Sequence, residues 1–578
     1  MKYAEALKIS QSRLAAAAQP FTVALACGCA DHHLAVFLNA HLRARFPQRD
    51  VRVSSGLYGD VVGNIQRLGQ TKIDAAAVVL EWADLDPRLG LRQVGGWSPS
   101  ALPDILANAE SQAARLVAAI VQSPRRVPVA VSFPSLPLPP VAYTPGWRMS
   151  ELEVRLHSLS AGMAAQLITT AHVRLLNPQR LDAVSPPADR RDVKSELLSG
   201  SPYRLAHASA LMEQLATLLQ SPTPKKGLIT DLDNTLWRGL LGEEDIEGVS
   251  WDLDRRSHAH ALYQQLLQSL ADAGVLVAVA SKNDAARVEK ALRQDDLHVR
   301  PESLFPIEAH WEPKSLSVGR ILRAWNVAAD SVVFVDDSRM EIEEVKAAFP
   351  TMETFLFPTG QDQEIYDLLI RLRDLFGKPS VGAEDRLRLQ SLRVAGAFGE
   401  AAGQRASSDD FLRGAEAEIA LDVDREPPDP RALELVNKTN QFNLNGRRFT
   451  ELEWAEHLSR PDSFYWLISY RDKFGPLGKI AVLAGRRQGS RAIVDTWVLS
   501  CRAFSRRIEH QCLEMLFREI PVDELVLEFT ATPRNGPLQE FLASLLDKPL
   551  AGPVRLTRQQ FAAKCPPLYH RVKELIHG

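Results

Sequence analysis

At 578 residues the chain has room for about three or four domains of ordinary size, roughly 100–200 residues each. Hydrophobic residues make up 45% and charged residues 24%, ordinary globular usage that excludes disordered, collagenous and low-complexity classes. With 68 Lys plus Arg against 71 Asp plus Glu, the formal net charge of -3 speaks against a dedicated nucleic-acid binder.

Five cysteines make no disulfide scaffold, so a reducing, cytoplasmic setting is expected. Glu5 and the Gln19-Pro20 break before Phe21–Ala26 argue against a signal peptide. The longest uncharged stretch, Val127–Trp147, carries Pro128, Pro134, Pro137, Pro139, Pro140 and Pro145, which no membrane helix tolerates.

In chain order, residues 1–222 mix β-like runs (Phe21–Ala26, Val51–Ser54, Asp74–Leu80, Val127–Phe133) with helical spacing over Ile105–Val121, an α/β texture. Ser221–Lys226 reads as a linker. Residues 223–378 alternate apolar runs at Gly227–Thr230, Val275–Ala280 and Val332–Val335 with helical patterns near 257–273, 284–294 and 315–325. That alternation predicts parallel strands with crossover helices. Residues 379–408 form a polar helical connector. In 409–578, β runs at Phe464–Tyr470, Lys479–Ala484, Arg491–Leu499 and Glu524–Glu528, with helices near 504–518 and 535–545, predict an α+β domain.

Functional groups of open α/β sheets gather beyond the carboxyl ends of the strands. The first central strand ends in Asp231-Leu232-Asp233-Asn234-Thr235, the second in Ser281-Lys282-Asn283 and the third in Asp336-Asp337, while Lys314 opens a helix after Trp311-Glu312-Pro313. Asp231 and Asp336 can offer carboxylates to a hard cation such as Mg²⁺, with Asp233 and Asp337 as further candidates. Asp231 can attack phosphorus, and Asp233 can protonate the leaving oxygen and then activate water. Ser281 can hydrogen-bond a phosphoryl oxygen and Lys314 can offset its charge, with Asn234, Thr235, Lys282 and Asn283 as neighbouring binding groups. Singly, each is a turn, a cap or a solvated charge; four in this order make that reading improbable.

Asp231-Leu232-Asp233-Asn234-Thr235-Leu236-Trp237, Ser281-Lys282-Asn283, Trp311-Glu312-Pro313-Lys314 and Phe334-Val335-Asp336-Asp337 resemble the four motifs of the haloacid dehalogenase (HAD) superfamily. Leu236-Trp237, Gly242-Glu243 and the Trp-Glu-Pro-Lys string resemble its FkbH-like branch, subfamily IIIC. The resemblance implies a Rossmann-like HAD domain and formation of a glyceryl thioester on the phosphopantetheine arm of an acyl carrier protein. It further implies 1,3-bisphosphoglycerate as donor, in polyketide-type biosynthesis. Arg238 departs from the branch, where a glycine is usual; it either touches substrate phosphate or faces solvent.

A second constellation is Asp495–Arg502, followed by a predicted helix Ser505–Phe517. Cys501 then stands where a strand gives way to a helix, and the helix amides with Arg502, Arg506 and Arg507 favour a thiolate able to hold an acyl group. His510 is a candidate acid/base partner, almost two turns away if the helix begins near Phe504. The alternative is a small buried thiol. Asn437–Leu444 with Ser500-Cys501-Arg502 resembles the C-terminal part of FkbH-like proteins, which is similar to the GNAT acyltransferase fold. By that resemblance Asn437, Asn440, Gln441, Asn443 and Asn535 bind a glyceryl group or the arm; the other reading is that these amides organise turns. The pairs Arg447-Arg448, Arg486-Arg487 and Arg506-Arg507 either meet an acidic carrier or form a solvated face.

Residues 1–222 resemble the SGNH-hydrolase-like domain that precedes the HAD part of longer FkbH-like proteins. No serine nucleophile stands in Gly28-Cys29-Ala30-Asp31, so an inactive docking or structural module is expected. The run Cys27–His33 is read as a turn rather than a metal site. The leading expectation is a Mg²⁺-dependent enzyme that joins acyl transfer at Cys501 to dephosphorylation at Asp231. The rivals are a stand-alone Mg²⁺-dependent phosphatase or phosphotransferase on a small phosphorylated acid, and a non-enzymatic assembly factor.

Overall fold

The computed structural model describes the chain apart from residues 13–18, 71, 142, 379–380, 383–407, 424–427, 474, 501–502, 505, 547–549, 551 and 576–578, and apart from the side chains of 244–246, 408, 410–411 and 575. The expected connector at 379–408, Cys501 and Arg502 therefore lie largely or wholly outside the described residues. The chain divides into two compact units, Met1–Pro222 with Thr450–Ala455, and Thr223–Phe449 with Glu456–Gly578. No helix among the described residues is long and apolar enough to cross a membrane.

The first unit is built on five parallel strands: β1 (Gln19–Cys27), β2 (Arg49–Ser55), β3 (Ala75–Val79), β4 (Val129–Ser132) and β5 (Val173–Leu175), in the order β2-β1-β3-β4-β5. Strand β3 is buried throughout, as a strand covered on both faces must be. One face packs Val23, Leu25 and Ala77 against the helices His32–Arg45 and Leu205–Leu219. The other packs Val78 and Val131 against Leu102–Val121 and Glu151–Leu167.

The second unit holds two sheets. The first has β6 (Gly227–Thr230), β7 (Leu276–Ser281), β8 (Leu304–Ala309), β9 (Val332–Asp336) and β10 (Glu353–Leu356), all parallel, in the order β10-β9-β6-β7-β8. Helices His258–Asp272 and Asp362–Phe376 cover one face, Lys314–Trp325 and Arg339–Ala348 the other. Strand order reverses at β6, which pairs with β7 on one side and β9 on the other, so the carboxyl end of β6 opens into the crevice where such sheets bind ligands.

The second sheet is mixed: β11 (Glu418–Val423), β12 (Ser463–Asp472), β13 (Gly475–Gln488), β14 (Arg491–Leu499), β15 (Glu524–Leu527), β16 (Val554–Thr557) and β17 (Arg571–Leu575), in the order β16-β15-β14-β13-β12-β11-β17. Along β14, strand β15 pairs with Arg491–Val494 and no further. Beyond that the segment Phe442–Leu444 takes its place, with the Leu444 amide donating to Trp497 O and the Leu499 amide to Phe442 O. Helix Ile508–Glu519 and helix Gly536–Leu545 pack on this sheet.

Candidate functional site

Asp231 follows β6 directly, and its amide donates to Val335 O, which extends the β6–β9 ladder by one residue. Its side chain is buried beside Asp336 at the end of β9. Lys314 is the first residue of its helix, after Pro313. Its ammonium lies 2.8 Å from Asp231 Oδ1 and 2.5 Å from Asp336 Oδ2. The other oxygen of Asp336 accepts the Ser338 amide at 2.8 Å. Two strand ends and a helix start thus meet in one small volume.

Burial pushes the Asp336 carboxyl up to about 7, helped by the charge of Asp231 and opposed by Lys314. Burial and Asp231 push Asp337 up to about 6. Burial works to lower the Lys314 ammonium, but the two carboxylates outweigh it and hold the group above its ordinary value. So much uncompensated acidity around one lysine is the electrostatic signature of a cation site. Asp231, Asp336 and Asp337 each offer an oxygen, all within 4.8 Å of one another. Asp231 Oδ1 is buried, with the Lys314 ammonium beside it. An all-oxygen donor set of this kind fits a hard divalent ion.

The Asp233 carboxylate, also expected among the metal ligands, stands apart from that cluster of three. One of its oxygens accepts Trp237 Nε1 at 2.9 Å and the Leu241 amide at 3.2 Å, and the other accepts Asn283 Nδ2 at 3.0 Å. Those three donors fix a half-buried carboxylate two residues from Asp231. Trp237 as a positioning residue was not singled out from sequence; its signal is the spacing of four from Asp233.

Ser281 is buried at the end of β7 and accepts Asn283 Nδ2 at 3.1 Å, so Asn283 ties it to Asp233. Asn234 has φ 51°, and its Oδ1 accepts the Gly239 amide, closing the loop after Asp233. Two further expected binding groups lie nearby. Lys282 is drawn to Glu341 at 2.7 Å, and Thr235 is fully buried, its carbonyl meeting His260 Nδ1 while its hydroxyl has no hydrogen-bond partner. Arg238 is exposed and donates to the carbonyls of Arg255 and Arg256, the solvent-facing reading.

In the C-terminal part, three of the five candidate amides hold backbone. Asn437 exchanges two hydrogen bonds with Phe449, and Asn443 binds Thr439 O and the amides of Asn445 and Gly446. Asn535 is fully buried between Asn443 O, Thr530 O and the Thr532 amide. These amides organise turns and neighbouring main chain, and Asn535 Oδ1 also accepts Gln539 Nε2 at 2.8 Å. Asn440 and Gln441, with Ser500, line a narrow crevice of about 90 Å³ with Lys226 and Trp325. Gln441 Oε1 is buried there with no hydrogen-bond partner.

The helix expected from 504 or 505 begins at Ile508, after Arg507 in a left-handed conformation. Its amides therefore start further along the chain from 501 than the sequence suggested, and His510 falls in its first turn. The His510 ring stands edge-on to Phe541 at 5.0 Å, with Nδ1 3.6 Å from Glu509. Of the basic pairs, Arg448 is held by Val436 O, Thr439 O and Asn440, and Arg506 is buried 3.5 Å from Asp472; neither forms a free charged face.

No family model matches the sequence, and no curated protein matches it significantly. Among solved structures, the chain is similar to the N-terminal part of the protein BF1531 from Bacteroides fragilis, described as containing a phosphatase domain complexed with Mg. The identity is 18% and the TM-score 0.52, over 66% of this chain and 100% of that one. At that identity the likeness shows a shared α/β fold. An uncharacterized protein from Corynebacterium glutamicum is matched over 27% of this chain and 98% of its own at 19% identity, with a TM-score of 0.19, too low to bear on the fold.

Proposed function

We propose that the module at 223–378 is a HAD-type, Mg²⁺-dependent phosphohydrolase or phosphotransferase. The observation that carries this is Lys314 spanning Asp231 and Asp336, with Asp337 in the same cluster, at the switch point of a parallel sheet. Asp231, Asp336 and Asp337 would hold the ion, which when bound neutralises charge on the phosphoryl oxygens. A carboxylate oxygen of Asp231 attacks phosphorus; the bond to the leaving oxygen breaks, and Asp233 gives that oxygen its proton. Asp233 then takes a proton from water, which attacks the aspartyl-phosphate and releases inorganic phosphate. Ser281 and Lys314 bind phosphoryl oxygens. The neighbour of similar fold, a phosphatase domain crystallised with Mg, supports the same reading.

For the whole chain we propose glyceryl thioester formation on an acyl carrier protein from 1,3-bisphosphoglycerate, with Cys501 carrying the acyl group. The buried, unpartnered Gln441 Oε1 beside Ser500 supports it, since an acyl hydroxyl or an arm amide would supply the missing donor. Trp311 and Met340, exposed next to two of the phosphoryl motifs, suit a substrate borne on a protein. The test is the intact mass of a carrier protein after incubation with enzyme, 1,3-bisphosphoglycerate and Mg²⁺. A glyceryl adduct that disappears with Cys501→Ala is expected; loading at the wild-type rate by that variant would end the covalent relay.

A stand-alone phosphatase is the second reading. It is favoured by the position of the crevice, which opens at Lys226 and Leu276, the amino ends of β6 and β7, whereas Asp231 lies at their carboxyl end. Phosphate release from small phosphorylated acids without any carrier would favour it.

A further inference from the structure

The first unit contains a cavity of about 520 Å³ that none of the phosphoryl or thiol chemistry uses. It lies beyond the carboxyl ends of β1 and β3, with Gly28 and Cys29 on one side and Glu81–Leu85 on the other. Strand order reverses at β1, which pairs with β2 and with β3, so this is the switch-point crevice of the first sheet. Its volume is that of a metabolite site, for which about 300–1,000 Å³ is usual.

The walls are graded. Deep inside, Trp82, Leu85, Leu89 and Leu136 are buried. Among them Asp84 accepts the Glu81 amide through one oxygen at 2.8 Å. The other lies over Gly28, so close that a Cβ there would come within 1.9 Å of it. At the mouth stand Tyr58, Arg92 and Arg115, all exposed, and both arginines have neutral partners, Tyr58 Oη and Gln112 Oε1. The remaining charges are internally matched: Arg191 pairs with Glu196 at 2.9 Å, Asp60 with Arg67, and Glu81 accepts from Ser135, Leu136 and Tyr203. The mouth carries the two arginines, and the interior is apolar with two carboxyls, Asp84 and the hydrogen-bonded Glu81.

We propose that this cavity is a second small-molecule site, which binds a phosphate monoester with its anion on Arg92 and Arg115 and its neutral, hydrogen-bonding tail reaching Asp84. Burial pushes the Asp84 carboxyl up to about 7, so near neutrality it can both donate to and accept from a tail hydroxyl or amide. The site binds and does not cleave. The Cys29 thiol is pushed well above its ordinary value by its hydrogen bond with the Cys27 thiol, by burial and by the charges of Asp84 and Glu81, which removes the thiolate a nucleophile needs. Among the described lining residues there is no histidine to act as a base.

Hydrogen exchange of the full chain, read peptide by peptide, tests this with two probes: glycerol 3-phosphate (short tail) and 4′-phosphopantetheine (long, amide-bearing tail). A probe at about ten times its Kd should slow exchange about tenfold in peptides spanning 56–63 and 81–93. The Arg92→Gln/Arg115→Gln double variant, whose exposed positions leave the fold intact, should lose that protection while exchange elsewhere is unchanged. Protection by the long probe alone assigns the tail to an extended arm, and protection by both assigns a site that reads the phosphate first. Protection by neither, protection confined to 231–238 and 281–284, or protection that survives in the double variant would overturn the proposal. Because the readout is local, failure here leaves the phosphoryl site untouched, and failure there leaves this site standing.

Discussion

Replacing Lys314 by methionine should destabilise the phosphoryl module severely, and a divalent ion should restore much of the loss. The lysine side chain is 5% exposed, and its partners Asp231 and Asp336 are 7% and 0% exposed. Methionine keeps the length of the stem but leaves two buried carboxylates facing each other without a counter-charge. Removing one partner of a buried pair costs about 3–5 kcal/mol. For a module of this size 1 kcal/mol corresponds to roughly 2–4 °C, so the midpoint should fall by about 10 °C. Mg²⁺ at about a hundred times its Kd adds roughly 2.7 kcal/mol. The variant should gain more than the wild type, because no ammonium competes for the same oxygens. Differential scanning calorimetry of both proteins, in chelator and in Mg²⁺, reads this directly. If the variant in chelator melts with the wild type, or if Mg²⁺ raises both equally, the charge balance described here is wrong.

Three further outcomes follow from the geometry. Asp233→Asn should lower phosphate release by about 10²- to 10⁴-fold, the usual worth of a general acid–base group, with Mg²⁺ affinity unchanged because Asp233 lies outside the ligand cluster; a weakened ion would refute that placement. Gly28→Ala should cost about 1–3 kcal/mol, since its Cβ would meet Asp84 Oδ1 at 1.9 Å, whereas Gly162→Ala, a helical position with nothing within 4 Å, should stabilise by about 0.5–1 kcal/mol; urea unfolding compares the two. Burial drives the His207 imidazole down to about 3, below the ordinary 6.5, so the unfolded chain takes up a proton that the fold refuses. That contribution is full above pH 6.5 and is lost as pH falls toward 3, at about 1.4 kcal/mol per pH unit, or roughly 2 kcal/mol by about pH 5. The stability difference between wild type and His207→Gln should therefore shrink over that interval, and a constant difference would refute it.

What could be read from the chain depended on burial. Gly227–Thr230 and Val332–Val335 are buried on both faces, so they stand out as short apolar runs. Strands β8 and β10 edge the same sheet, only partly buried, and Pro306 interrupts β8; no continuous run marks either. The acidic motifs were legible because each follows a buried strand at once. The asparagines were not, since an amide that seats a ligand and one that seats a turn look alike in sequence. What distinguishes Asn535 is a partner 92 residues away, and what distinguishes Asn437 is one 12 residues away. The helix after β14 was placed too early because Phe504 and Ser505 have the texture of a helix start, while the turn into the helix is made by Arg507 at positive φ.

The distance between the two halves of the proposed reaction sets its logic. From Lys226, on the crevice, to Asp231 the chain runs the length of β6, five steps of about 3.3 Å, or about 17 Å. Reacting atoms must approach to about 3–3.5 Å. A molecule held beside Ser500 therefore cannot present its phosphate to Asp231 without leaving, and the two steps are separable in time. Asp231→Asn should then still acylate Cys501, and the enzyme or its carrier should accumulate a thioester heavier than the glyceryl product by one phosphoryl group. Intact mass of both proteins at successive times decides it. A variant that forms no acyl adduct at all would mean that phosphate removal must come first, with the acyl group reaching the crevice already dephosphorylated.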